Sequence, residues 1–241
     1  MMLWMIMAVV LACHGQLGCG NNDATEILPT GTPCIATQTF LDELRKMLRT
    51  EQDEEASVQG KGGAIYTRWG RTECSLNNEL VYKGVAGGNS YETKAGPANI
   101  LCLPDNPEYG NHTPGLQAGS LIYGTEYETG TYNTFSFKHL HDHDVPCAVC
   151  RSRTKTSVIM VPAKMSCFPG WRVEYTGYLM GGHYSHAASE YLCVDGDAEK
   201  DRSGHENKNG HLLYLVEGIC GSLPCPPYRN VWELTCTVCS K

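Results

Sequence analysis

Four cysteines recur at nearly the same spacing, and this constrains the fold more than any other feature. Cys74, Cys102, Cys147 and Cys150 return as Cys167, Cys193, Cys236 and Cys239, displaced by 93, 91, 89 and 89 residues. Other positions share the displacement. Leu121-Ile122-Tyr123 returns as Leu212-Leu213-Tyr214, and Glu126 as Glu217. Val81–Gly84 is echoed by Glu174–Gly177, Gly87-Gly88 by Gly181-Gly182, and 145–150 by 234–239. The pattern predicts one disulfide-rich domain of two tandem homologous halves, about 62–155 and 156–241.

The chain has 241 residues and 13 cysteines, and that cysteine density suits an oxidising compartment. Only 19 % of residues are charged and 26 are Gly, a composition that fits a turn-rich extracellular β protein. Leu3–Ala12 is apolar and followed by small residues, so residues 1–15 read as a signal peptide. Their removal takes Cys13 away and leaves an even twelve. The apolar run is too short to span a bilayer, so a secreted protein with no membrane span is expected. A net charge of −7 argues against nucleic acid, which demands a basic face.

Residues 16–38 read as a flexible leader holding Cys19 and Cys34. Residues 39–57 read as one amphipathic helix. Thr39 can cap it, and Phe40, Leu41, Leu44, Met47 and Leu48 form an apolar stripe. Such a helix is marginal alone and needs a surface to cover. It can lie on its own domain or form a short coiled coil with partner chains. Cys19 and Cys34 can bridge chains beside that coil or bridge each other. Self-association, as dimer or trimer, is therefore placed at residues 19–56.

From Gly60 onward, short β-branched and aromatic runs alternate with Gly, Asn and Pro turns. Strands are expected near 64–68, 79–83, 100–103, 120–127, 145–150 and 157–161. Further strands are expected near 172–180, 190–194, 211–217 and 232–239. The segments 105–119 and 195–210 read as long polar loops.

Cys147-Ala-Val-Cys150 and Cys236-Thr-Val-Cys239 have the spacing of redox dithiols and zinc ligands, but the even count favours disulfides. Residues i and i+3 of a strand face opposite ways, roughly 10 Å apart. Bridged Cα atoms are seldom more than about 7 Å apart. So neither pair can close on itself. Cys74 and Cys102 must pair with Cys147 and Cys150, and Cys167 and Cys193 with Cys236 and Cys239, in an order left open. Cys220 and Cys225 pair with each other.

Tyr66–Cys74, Gly84–Gly88, Ala98–Pro104, His141–Cys150, Gly177–Met180 and Cys220–Tyr228 together resemble the C-terminal domain of short-chain, spongin-type collagens and of their secreted, collagen-less relatives. The resemblance covers about residues 62–241. It implies an extracellular, matrix-associated, non-enzymatic module, distantly like the type IV collagen C-terminal domain. No Gly-X-Y run precedes the domain, so a fibre role does not carry over.

Two groups of residues stand out as ligand-binding candidates. His139, His141 and His143 would share one face of a strand and, with His183 and His186, form a composite divalent-metal site. These histidines break the repeat, since the shifted positions of His141 and His143 hold Asn230 and Trp232. Trp69, Tyr91, Tyr178 and Tyr184 lie beside Gly-rich turns and can stack on sugar rings. Asn111-His-Thr113 is a glycosylation sequon. No nucleophile elbow is present. Three functional classes follow: a self-associating matrix or scaffold protein, a lectin-like recognition protein, and a metal-dependent protein.

Overall fold

The computed structural model describes Lys46 and residues 62–241, apart from 76, 118, 131–135, 202, 203 and 205. The expected signal peptide, the leader with Cys19 and Cys34, and the rest of the 39–57 helix lie outside the described residues. The chain divides into two units, Met1–Ser57 and Val58–Lys241, and all elements below belong to the second.

That unit is mainly β. In chain order the strands are β1 (Ile65–Trp69), β2 (Asn78–Gly88), β3 (Leu101–Pro104), β4 (Tyr123–Tyr127), β5 (Pro146–Ser152) and β6 (Val158–Pro162). Then come β7 (Arg172–Gly181), β8 (Leu192–Asp195), β9 (His211–Leu215), β10 (Glu217–Gly218), β11 (Trp232–Glu233) and β12 (Thr235–Ser240). Each falls on an expected β segment, although 211–217 and 232–239 are each divided in two. Seven strands close into a barrel in the order β7-β8-β1-β5-β2-β4-β9, with β9 returning to β7. β12 and then β6 extend from β7, and β3 extends from β2.

The pairings of β1–β5 match those of β6–β9 and β12. β5 lies between β1 and β2, as β12 lies between β6 and β7. β2 pairs antiparallel with β3 and β4, as β7 does with β8 and β9. The two sets join through parallel pairs, β4 with β9 and β1 with β8. One counterpart is missing. β1 meets β8, yet among the described residues β6 meets only β12 and β3 meets only β2.

β5 and β12 run through the middle of the sheet and are buried along almost their whole length. Their cysteines at i and i+3 therefore reach different partners. The bridges are Cys74–Cys150, Cys102–Cys147, Cys167–Cys239, Cys193–Cys236 and Cys220–Cys225, with Cα separations of 5.7, 5.8, 5.9, 5.7 and 5.7 Å. The order within both sets is thus the same, with the first cysteine joined to the last.

Gly84 faces Cys147 in β2, and Gly177 faces Cys236 in β7. A Cβ at Gly84 would lie 1.6 Å from the Leu103 carbonyl oxygen, and at Gly177 1.8 Å from that of Val194. Neighbouring backbones approach too closely there for any side chain. The main core packs Tyr127, Phe137, Leu140, Val145, Met180 and Leu213 inside the barrel.

The segment 139–143 is not a strand. Ser136–Leu140 forms a 3₁₀ turn, and the chain then reverses through Asp142 at φ 60°. The cause is visible in burial. Phe137 and Leu140, three residues apart, are both sunk in the core, which is helical spacing. His139 is left exposed, and the histidines do not share a strand face.

Candidate functional site

The 139–144 segment nevertheless builds a site, in which one of its histidines, His141, meets Glu128 just after β4. The amide of Tyr127 donates to the His143 carbonyl (3.0 Å), and that of Asp142 to the Tyr127 carbonyl (2.9 Å). The amide of Glu128 donates to Leu213 of β9 (2.8 Å). These backbone bonds fix Glu128, His141 and Asp142 against one another. His141 Nδ1 lies 3.5 Å from Glu128 Oε2, and His141 Nε2 lies 3.5 Å from Asp142 Oδ1. One ligand atom from each residue falls within 4.8 Å of the other two. A Cβ on Gly130 would press to 2.4 Å from His141 Cδ2, so that glycine makes room for the ring.

Further acids surround this triad. Glu126 is buried and accepts from the amides of Lys208 (3.1 Å) and Asn209 (3.3 Å). Burial raises the Glu126 carboxyl above its ordinary range, with Asp144 and Asp142 adding repulsion against those two amides. Burial likewise raises Glu128, against the pull of His141. Burial raises Asp144 too, and Asp201 adds to it. Such an arrangement is chemically suited to a cation.

A second cluster lies on the 182–190 loop, the 90–93 turn and β9. The ring of His183 sits 4.1 Å from Tyr184, 5.0 Å from His186 and 5.1 Å from Tyr214. His186 packs 4.8 Å from Tyr91. The loops are tied together by the amide of Ala187 donating to the Tyr91 carbonyl (3.1 Å). Glu92, Lys94 and Ser185 line the depression beside Tyr91 and His186. Burial lowers the His186 imidazole below its usual value, and His183 reinforces this. Tyr184 is 94 % exposed, which leaves a ring face open.

The five histidines expected to share one metal are therefore dispersed. His141 joins two carboxylates, His183 and His186 join tyrosines, and His139 and His143 enter neither group. The stacking candidates divide as well. Tyr91 and Tyr184 belong to the aromatic cluster. Trp69 packs against the core, and Tyr178 meets Phe137 edge-on at 5.7 Å. Asn111 is exposed in the loop after β3. Glu128 and Tyr214 are not among the site candidates that the sequence offers. Glu126 and Glu128 share one side of an extended segment, and that alternation was the available signal. No protein-family model matches the sequence, and no curated protein does.

Proposed function

We propose that this chain is a secreted, non-enzymatic scaffold module of matrix type, built from two duplicated halves, that works by associating with copies of itself. The reading keeps the resemblance to the C-terminal domain of short-chain collagens. Five disulfides suit an extracellular setting.

The observation that carries it is the missing strand pair. In a duplicated molecule the β1–β8 join has a twin, β6 with β3. Among the described residues both of those edges are open within one chain, and an open edge is a template for another strand. Trp69 faces Val194 in the join that exists, so the twin would set Pro162 of one copy against Leu103 of another. The outward residues agree. Ile159 and Met160 on β6 are 37 % and 40 % exposed, and Val81 on β2 and Leu101 on β3 are 50 % and 48 % exposed. Exposed apolar groups of this kind mark association surfaces. Residues 19–56, with Cys19 and Cys34, supply a second contact between copies.

Light scattering on the mature protein, with non-reducing electrophoresis, tests the proposal. An oligomer is expected, dissociated by Met160→Lys or Leu101→Lys. A strict monomer at micromolar concentration, with no inter-chain bridge, overturns it.

The cluster of Tyr91, His183, Tyr184, His186 and Tyr214 favours a second reading, in which the same scaffold binds glycans by ring stacking. A glycan array on folded protein decides it. Binding abolished by Tyr184→Ala supports a lectin, and a blank array removes it.

A further inference from the structure

We infer that Glu128, His141 and Asp142 form a binding site for a first-row divalent cation, with Zn²⁺ the best match. The inference is independent of the self-association proposed above.

The donor set is one imidazole nitrogen and two carboxylate oxygens. Oxygen-only cages suit Ca²⁺ and Mg²⁺, whereas an imidazole shifts the preference to the later transition ions. Zinc bonds of about 2.0–2.2 Å place tetrahedral ligands about 3.3–3.6 Å apart. His141 Nδ1 and Glu128 Oε2 already stand 3.5 Å apart. Asp142 approaches from the other side of the ring, with Oδ1 3.5 Å from His141 Nε2. One ligand atom from each of the three residues lies within 4.8 Å of the other two, so the imidazole and the Asp142 carboxylate turn toward a common ion on binding.

Two further observations point to a missing partner. His141 Nδ1 and Asp142 Oδ1 are both shut off from solvent, and neither has a hydrogen-bond partner. Buried polar atoms are ordinarily hydrogen-bonded, whereas these two have only ion-pair neighbours at 3.5 Å, Glu128 Oε2 and His141 Nε2, too long for a hydrogen bond. The surrounding charge is also one-sided. Glu126, Asp144 and Asp201 act on the triad or on one another, with Lys208 as a cation beside Asp144. Lys208 is itself drawn 3.1 Å from Glu206. A divalent ion satisfies the orphaned atoms and offsets the carboxylates together.

The site is held in place without the ion. Phe137 and Leu140 anchor the 3₁₀ turn in the core, and backbone bonds to Tyr127 fix the loop after it. Among the described residues no free thiol competes for the metal, because all ten cysteines there are bridged. Three protein ligands leave one tetrahedral position for water.

The test is calorimetric titration of the full mature protein with ZnCl₂, followed by Co²⁺ spectroscopy. One equivalent is expected to bind. His141→Ala should weaken it by more than about 100-fold, a loss larger than removing an outer-shell partner. Glu128→Gln and Asp142→Asn should each weaken it by at least about tenfold. Asn tolerates the left-handed backbone at 142, so that variant keeps the loop. Bound Co²⁺ should show a visible d–d band that disappears in His141→Ala. A His183→Ala/His186→Ala double variant should bind as the native protein does. No binding by the native protein overturns the proposal, and so does unchanged affinity in His141→Ala. Loss confined to the His183→Ala/His186→Ala variant overturns it equally, by moving the metal to the aromatic cluster.

Discussion

β2 and β7 hold corresponding places and differ in what covers them. Each faces a cysteine-bearing strand through one glycine, Gly84 opposite Cys147 and Gly177 opposite Cys236. Each bulges by one residue, at Val81 in β2 and at Glu174 in β7. A bulge re-aims its extra side chain. Val81 points to solvent and is 50 % exposed. Glu174 is buried and accepts hydrogen bonds from Tyr66, Asn78, Arg172 and Ser240. Tyr66 and Asn78 come from the other strand set, so Glu174 lies at the join between sets. Shifted by the repeat, Tyr66 corresponds to Ile159 of β6. One bulge is covered by β1, whereas among the described residues its counterpart at Val81 is met by no strand in the place of β1.

The largest test of this correspondence is at the glycines. Gly84→Ala and Gly177→Ala should each cost more than about 4 kcal/mol, because a Cβ meets backbone rather than a mobile side chain. Denaturant unfolding and mapping of the bridges measure it. Tolerance at one glycine but not the other breaks the equivalence.

Next is the bulge residue. Glu174→Gln weakens the charge-assisted hydrogen bonds from Ser240 and from Arg172, which is itself 39 % exposed, and should cost about 1.5 kcal/mol. Val81→Glu should change monomer stability by less than about 0.5 kcal/mol while weakening association. The pH dependence follows from sign. Burial alone would raise the Glu174 carboxyl, but hydrogen bonds from Ser240, Arg172 and Asn78 outweigh it and lower the value. A lowered folded-state value contributes stability above the unfolded carboxyl range, near 4.3. That stability is lost as pH falls through the folded value. Native protein should therefore lose stability on acidification below about pH 4 more steeply than Glu174→Gln.

Among the bridges, the smallest effect is expected at the one that breaks the repeat. Replacing Cys220 and Cys225 by Ser opens a separation of only 5 residues and should cost about 2 kcal/mol. Replacing Cys193 and Cys236 opens 43 residues and should cost about 4 kcal/mol. Equal melting shifts would remove the distinction between shared frame and added loop.

Much of the frame was legible because cysteine spacing and alternation are local signals that strands and bridges must obey. Cys147 and Cys150 had to part company as soon as their segment was read as extended. The site was less legible. His139 to Asp144 alternates as a strand does, and only the burial of Phe137 with Leu140 turns it into a 3₁₀ turn. Glu128 meets His141 through backbone bonds at Tyr127, a contact that no local spacing encodes. Trp69 and Tyr178 neighbour glycines as exposed rings do, yet both are partly buried and pack against the core.

The barrel closes through β4 and β9, where Thr125 meets His211. Its last staves are therefore far apart along the chain, and β9 is the latest to be synthesised. A ribosome that has delivered β1 to β5 has delivered the cysteines of the first two bridges and β2 for one edge of β4, but not β9 for the other. Oxidation can begin before the wall exists, whereas burial of the interior must await strands almost ninety residues downstream. Distant pairing of this kind slows folding. In this molecule covalent bracing can precede the hydrophobic core that it braces.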